Sequence, residues 1–111
     1  MLTPLRGLHL LVDGISSRQL ERPDLMAFLV GCPKVINMTV IHPAEVWETG
    51  LGLTGITIIA ESAITVHIQG HEVHADIFSC KTFDTNKATD FARESLFLMA
   101  LRVQRIDRGW E

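Results

Sequence analysis

Residues 55–60 read Gly-Ile-Thr-Ile-Ile-Ala, a run in which apolar side chains occupy successive positions without alternating with charged ones. Successive side chains of a strand point to opposite faces, so this run predicts a central strand that is buried on both faces. A layer of helices can cover only one of these faces. We therefore expect another sheet on the second face, and a second copy of the same chain supplies it most simply, as a homodimer.

Further runs predict five more strands around this one. β-Branched or alternating stretches occur at residues 7–13, 34–42, 63–69, 72–80 and 102–107, and the central run itself extends to residue 62. Pro43 is expected to end the second strand and Gly70 to form a turn. The segment 42–55, with glycines at positions 50, 52 and 55, is expected to be a loop. Residues 102–107 are expected to form an edge strand.

Two helices are predicted between these strands. The first lies between Pro23, which suits the first turn, and Gly31, which suits a C-terminal cap. The second begins at Asp84 or Thr85, and its apolar positions follow helical spacing at Ala88, Phe91, Ala92, Leu96 and Met99. The order strand, helix, strands, helix, strand predicts an α/β fold of the α+β type. We expect a two-layer sandwich whose mainly antiparallel sheet carries both helices on one face and dimerises through the other.

Composition limits the possible functions. The 111 residues suit one domain, spanning 1–111, and a net charge of −3 with scattered basic residues argues against a nucleic-acid partner. The apolar runs are too short to span a membrane, and the N-terminal segment does not resemble a signal peptide. Cys32 and Cys80 fit neither a metal motif nor a disulfide framework, so we expect a cytoplasmic protein with reduced thiols.

The segment 58–67, IIAESAITVH, places Glu61 and Ser62 between two apolar stretches. Burial of a carboxylate and a hydroxyl is costly unless the site uses them. His67 follows Ser62 by five residues, and Cys80 ends the next strand-like run. Together with the preceding GLTG at 52–55, this order of residues resembles the self-processing core of the prokaryotic S-adenosylmethionine decarboxylases. Weaker similarity extends to GLHLLVD near the N-terminus and to DTNKATDFARESL and DRG near the C-terminus.

The resemblance implies autocatalytic cleavage between Glu61 and Ser62. In that family the serine hydroxyl attacks the preceding carbonyl carbon, β-elimination cuts the chain, and hydrolysis leaves a covalent pyruvoyl group, here derived from Ser62. The pyruvoyl group forms a Schiff base with the amine of a small substrate and serves as an electron sink for its decarboxylation. The family uses this reaction to supply the aminopropyl donor for polyamine synthesis.

The resemblance also implies separate roles for the other site residues. His67 matches the residue that moves protons during cleavage, and Thr54 matches its hydroxyl partner, which is usually Ser. Cys80 matches the proton donor of the decarboxylation step. Histidine titrates near neutral pH, and a thiol with a suitable pKa can donate a proton, so both residue types suit these roles.

The substrate-binding residues match the family less well. Its Thr-Trp-Pro-Glu segment after the histidine is absent here, and the chain contains no tyrosine. Trp47 is the residue best suited to stack on an adenine base, and Glu72 is the candidate for an acidic substrate-binding residue across the dimer. A pyruvoyl-dependent arginine or ornithine decarboxylase is the alternative, because neither substrate needs an adenine site.

Two further interpretations remain open at the level of sequence. The chain could be an unprocessed relative that binds a ligand without chemistry. A metal site could use His67, His71, His74 and Asp76, since His74, Asp76 and Glu72 share one strand parity. The irregular spacing of these residues favours no metal, and the pyruvoyl interpretation explains more of the pattern.

Overall fold

The computed structural model describes residues 6–109. These residues form one sheet of six strands with two helices. In chain order the elements are β1 (Arg6–Ser16), α1 (Arg22–Val35), β2 (Val40–Glu48), β3 (Leu53–Ile59), β4 (Ser62–Gln69), β5 (Glu72–Ser79), α2 (Thr85–Ser95) and β6 (Leu98–Gly109). Neither helix is long and apolar enough to cross a membrane.

The strands follow the order β2-β3-β4-β5-β1-β6 across the sheet, and every neighbouring pair is antiparallel. Strands β2 to β5 are consecutive in the chain and pair with their chain neighbours. Strand β1 instead lies between β5 and β6, far from its neighbours in sequence. The α+β sandwich with a mainly antiparallel sheet is confirmed, and β6 is an edge strand as predicted.

Both helices pack on one face of the sheet, where the core lies. Leu25, Phe28 and Leu29 of α1 are fully buried against the strands, and Ala88 and Ala92 of α2 are likewise buried. Helix α1 begins where the Asp24 carboxylate accepts a hydrogen bond from the Glu21 N–H, at 2.9 Å. Helix α2 has Asp84 as its N-cap, and the Asp84 carboxylate accepts hydrogen bonds from the backbone N–H groups of Asn86 and Lys87.

The other face of the sheet, which we call the open face, has no helix on it. A Cβ on Gly55 would contact the side chain of Leu29, so Gly55 faces α1 and its neighbours in β3 face the opposite way. Ile56 is half-buried and Ile58 is 41% exposed on that open face. Within one chain β3 is therefore covered on one face only, and burial of its other face by a second copy stays a prediction.

Several predicted boundaries of helices and strands are wrong. The first helix continues past Gly31 to Val35 and contains Pro33, so the strand predicted at 34–42 starts only at Val40. The segment 42–55, predicted as a loop, is divided between β2, which runs to Glu48, a short loop, and β3, which starts at Leu53. The pairing of β2 with β3 shifts register twice around Pro43. Those shifts accommodate the proline, which cannot donate to the ladder. Met99, predicted to be helical, lies in β6.

Candidate active site

The tight turn between β3 and β4 holds the Glu61–Ser62 pair. Ile59 pairs with Ser62 across the hairpin, so Ala60 and Glu61 make the connection. Glu61 has a φ of 58°, in the left-handed region that residues with a Cβ rarely adopt. Glu61 is exposed and Ser62 is half-buried. The peptide bond between them therefore lies at an accessible turn with an unfavourable backbone conformation, a feature that often marks functional sites.

Cys80 contacts both residues of this pair. It follows directly after β5, whose antiparallel pairing with β4 brings its end beside the start of β4. The backbone N–H of Cys80 donates a hydrogen bond to Ser62 Oγ at 3.0 Å, and its thiol donates to the carbonyl oxygen of Glu61 at 3.3 Å. One residue thus holds the serine oxygen and also contacts the carbonyl group that this oxygen would attack.

Thr54 and His67 form a second cluster at the opposite end of the same hairpin. They pair across β3 and β4, and Thr54 Oγ1 lies 3.2 Å from His67 Nδ1. His67 is five residues from Ser62 along β4, which corresponds to about 16 Å at the usual rise of a strand. The structure therefore brings together Glu61, Ser62 and Cys80 but separates them from Thr54 and His67.

His67 belongs to a line of side chains that crosses the whole open face. The strand register aligns six residues in succession, each paired with the next, and we call this line the polar row: Trp47, Thr54, His67, His74, Asp13 and Arg102. Paired residues of adjacent strands share a face, so their side chains are neighbours. Trp47, predicted to lie in a loop, lies in β2 with its side chain 48% exposed.

His74 is the member of the polar row that lies beside two carboxylates. Its Nδ1 donates a hydrogen bond to Asp13 Oδ1 at 2.6 Å, and its Nε2 lies 3.7 Å from a carboxylate oxygen of Glu72. The hydrogen bond to Asp13, together with the negative charges of Asp13 and Glu72, raises the pKa of His74 above its usual value. Arg102 approaches the other oxygen of Asp13 at 3.9 Å. Glu72, the predicted acidic substrate residue, thus lies beside an imidazole.

A second imidazole–carboxylate pair lies between the polar row and the turn. His9 Nε2 is 3.2 Å from Asp76 Oδ1, and the His9 ring meets the edge of the Phe78 ring with centroids 6.0 Å apart. Sequence reasoning missed both this pair and the His74–Asp13 pair. Each pair joins β1 to β5. Its only signal in the sequence is that polar residues alternate with apolar ones in both strands. This alternation does not reveal which strands are neighbours in the sheet.

A cavity of about 530 Å³ opens beside Cys80 at the turn end of the sheet. Its lining includes four basic side chains, those of Arg6, Lys81, Arg105 and Arg108, and one acidic side chain, Asp107. Arg108 lies over the Phe78 ring with its guanidinium carbon 5.3 Å from the ring centroid. The charge at this end is therefore mainly positive, so the cavity favours an anionic group.

Metal binding receives no support from side-chain positions in residues 6–109. No three His, Cys, Asp or Glu side chains in this part of the chain are grouped closely enough to hold a metal ion. His71, one of the four candidate ligands, uses its Nδ1 to donate a hydrogen bond to the carbonyl oxygen of Ser16 at 2.9 Å. His74 and Asp76 each face an oppositely charged or imidazole partner of β1, as described above.

Comparisons with known proteins agree with this architecture. The sequence profile of the S-adenosylmethionine decarboxylase family matches residues 8–109. A relative from Clostridium botulinum (strain Loch Maree / Type A3), named S-adenosylmethionine decarboxylase proenzyme, is 32% identical over 93% of this chain and 94% of its own. One from Aquifex aeolicus (strain VF5) with the same name is 30% identical over 92% of this chain and 76% of its own.

The fold is likewise shared with a solved structure. The crystal structure of the adenosylmethionine decarboxylase from Aquifex aeolicus VF5 superposes with a TM-score of 0.79 at 22% identity, and covers 98% of this chain and 95% of that one. The fold and site define an α+β sandwich with a serine at a strained hairpin turn. With the profile match over nearly the whole length, the chain belongs to the S-adenosylmethionine decarboxylase family.

Proposed function

We propose that this chain is the precursor of a pyruvoyl-dependent S-adenosylmethionine decarboxylase that cleaves itself between Glu61 and Ser62. The observation that carries the proposal is the double contact of Cys80 with Ser62 Oγ and with the Glu61 carbonyl oxygen. The names of the relatives support the same activity.

Cleavage begins with the attack of Ser62 Oγ on the carbonyl carbon of Glu61. The C–N bond of the peptide is replaced by an ester bond, and the serine nitrogen takes up the hydroxyl proton. Loss of the Ser62 α-proton and rupture of the Cβ–Oγ bond then release the Glu61 carboxylate and leave dehydroalanine. Water hydrolyses dehydroalanine to the pyruvoyl group with release of ammonia. A thiol donor at the Glu61 carbonyl stabilises the negative charge that develops on its oxygen.

The residues around Ser62 suit the pyruvoyl group. When formed, the group supplies the electron sink for loss of CO2 from the substrate amine. Cys80 remains attached to β5 beside position 62, so its thiol is within reach of the carbon that must be protonated after CO2 leaves. Phe78, two residues earlier, and His9 line the neighbouring surface of the open face.

Two chains are needed to complete this site. Thr54 and His67 cannot reach Ser62 of their own chain, because about 16 Å of β4 separates them. We propose that two copies pack open face to open face about a two-fold axis that runs across the strands, level with the middle of β4. This axis exchanges the two ends of β4, so His67 of each copy comes opposite the turn of the other copy that holds Glu61 and Ser62. The same packing buries Ile56 and Ile58.

The polar row of one copy then forms one wall of the substrate site in the other copy. Trp47 supplies a half-exposed indole that can stack on a base, and Glu72 supplies hydrogen-bond acceptors for sugar hydroxyls. An adenosyl substrate needs both a ring that stacks on its base and acceptors for its sugar hydroxyls. The aromatic ring would contribute little to the binding of arginine or ornithine, which carry no base.

Intact mass under denaturing conditions tests cleavage directly. We expect two fragments from the purified protein, of residues 1–61 and 62–111, the second carrying a pyruvoyl group at its N-terminus. Ser62→Ala is expected to give one folded chain, and Ser62→Cys serves as a control that keeps a nucleophile. Release of CO2 from S-adenosylmethionine, but not from arginine or ornithine, is expected of the cleaved protein. An uncleaved wild-type chain, or turnover of a basic amino acid instead, would contradict the proposal.

A further inference from the structure

The carboxylates at the β1–β5 end of the polar row are already paired with cations of the same sheet. Asp13 binds His74 at 2.6 Å and lies 3.9 Å from Arg102, and Glu72 lies 3.7 Å from His74. With His74 protonated, the carboxylates of Asp13 and Glu72 face two cations, His74 and Arg102, so these four side chains together have no net charge. We call Asp13, Glu72 and His74 the acid–imidazole cluster.

The proposed dimer brings this cluster to the substrate. A two-fold axis that exchanges the Ser62 and His67 ends of β4 also exchanges the two ends of β5, because β5 lies beside β4 and His67 pairs with His74. His74 of one copy therefore comes opposite Cys80 of the other. A substrate joined to position 62 lies between the two, with the acid–imidazole cluster of the partner copy beside its side chain.

We propose that His74 is a built-in counter-cation that determines substrate specificity, since it engages the Asp13 carboxylate that would otherwise bind the cationic side chain of a basic amino acid. The proposal rests on the dimeric site proposed above. It concerns the exclusion of guanidinium and ammonium side chains, and not the chemistry at Ser62.

The two kinds of cation differ in what they require from the site. Guanidinium and ammonium groups bind carboxylates through charge-assisted N–H donors, and a carboxylate already engaged by an imidazolium offers them little. The sulfonium of S-adenosylmethionine has no hydrogen to donate, so it loses nothing when Asp13 is engaged. Glu72, which lies 3.7 Å from His74, keeps oxygens that can accept from the sugar hydroxyls of this substrate. The acid–imidazole cluster thus discriminates between two cationic substrates by hydrogen bonding.

The discrimination depends on pH in a direction that the structure fixes. The charged or titratable groups that face His74 are Asp13 of β1, Glu72 of its own strand, His67 of β4 and, through Asp13, Arg102 of β6. As pH rises through the raised pKa of His74, the imidazolium loses its charge while both carboxylates keep theirs. Affinity for a basic amino acid is therefore expected to rise with pH.

Calorimetric titration with L-arginine tests the proposal on the uncleaved Ser62→Ala protein, which does not turn over. The titration is repeated at a series of pH values upward from about pH 6, the direction in which His74 loses its charge. At the lowest pH of the series, adding His74→Gln is expected to tighten arginine binding roughly tenfold and to remove the pH dependence. His74→Lys, which keeps a cation, is expected to bind arginine as weakly as the parent.

Two further variants distinguish specificity from a change in packing. The gain from His74→Gln is expected to disappear when Asp13→Asn is added, because the freed carboxylate is then gone. His42→Gln is the matched control, since His42 contacts the backbone of Pro43 in β2. The proposal is overturned if His74→Gln binds arginine no more tightly than the parent while the protein sediments as a dimer. Absence of cleavage in the wild-type chain would instead overturn the proposed function.

Discussion

The two ends of the β3–β4 hairpin differ in how their functional groups are held. At the turn end, Ser62 and Glu61 are adjacent in the chain, and Cys80 reaches them from the next hairpin through one backbone and one side-chain contact. At the other end, Thr54 and His67 belong to a row of side chains contributed by six different strands. The first cluster is local, whereas the second depends on the assembled sheet.

This difference indicates how the chemistry is divided. The turn end holds the bond that we propose is cut and a contact to its carbonyl oxygen, but the described residues near it include no imidazole that contacts Ser62. The other end has an imidazole with a hydroxyl partner but no bond to act on. Each end supplies what the other lacks, and the proposed two-fold axis between two copies would bring them together.

The strongest test of this comparison is to substitute His67 in one chain and Ser62 in another and then to combine the two chains. His67→Ala is expected to slow cleavage by roughly 10²–10⁴-fold, because proton transfer at Ser62 loses its base. Co-folding His67→Ala with Ser62→Ala chains is expected to restore cleavage of the His67→Ala chain. The Ser62→Ala chain then provides the intact histidine. Intact mass of mixed samples, with one chain tagged, measures the cleaved fraction.

The homogeneous variants are the controls for that mixing experiment. Each alone is expected to remain uncleaved, and both are expected to sediment as dimers. If the mixture stays uncleaved although mixed dimers form, then His67 does not act across the interface. Cleavage of homogeneous His67→Ala at the wild-type rate would remove His67 from the mechanism altogether.

Cys80→Ala is expected to affect turnover more than cleavage. Its backbone N–H still donates to Ser62 Oγ, so the nucleophile stays held and only the weak thiol contact to Glu61 is lost. Decarboxylation, which needs a proton donor, is expected to fall by roughly 10²–10⁴-fold. Fragment mass and CO2 release from the same sample separate the two effects, and a gradual conversion of the pyruvoyl N-terminus to alanine would report protonation at the wrong carbon. Wild-type turnover in Cys80→Ala would mean that Cys80 is a core thiol.

Thr54 is expected to have a smaller influence, through the orientation of His67. Thr54→Val keeps the size of the side chain but removes the oxygen that lies 3.2 Å from His67 Nδ1. A loss of one such hydrogen bond corresponds to roughly tenfold in the rate of cleavage. Thr54→Ser, which keeps the hydroxyl, is the matched control and is expected to cleave normally. Equal rates for both variants would show that the hydroxyl does not position the imidazole.

The sequence predicted the turn end better than the other end for a physical reason. Gly70 predicted the hairpin between β4 and β5, and hairpins are set by local turn signals. The turn at Ala60 and Glu61 was not predicted, because the central strand was expected to continue to residue 62, whereas β3 ends at Ile59. The antiparallel pairing that returns Cys80 towards Ser62 follows from the Gly70 turn, and the structure has it. The assigned chemical roles of these residues stay predictions.

The polar row could not be predicted, because it depends on where β1 is inserted. Asp13 and His74 are separated by 61 positions and meet only because β1 lies between β5 and β6. Local sequence patterns carry no information about such long-range pairing. The error over Trp47 has a different cause: Pro43 and the nearby glycines suggested a loop, but the register shifts of β2 tolerate the proline.

The smallest expected effect concerns stability, and it tests the His74–Asp13 pair without any substrate. The folded-state pKa of His74 is raised above 6.5, so the pair stabilises the fold fully below about pH 6.5, and that contribution is lost as pH rises through the raised value. His74 is about half exposed, which limits the contribution to ~0.2–1 kcal/mol. Denaturant unfolding of Ser62→Ala and of Ser62→Ala/Asp13→Asn, at equal protein concentration, is expected to show a difference at low pH that vanishes at high pH. Arg102→Gln is the control that leaves the pair intact. A difference that stays constant with pH would mean that Asp13 acts through packing and not through the imidazolium.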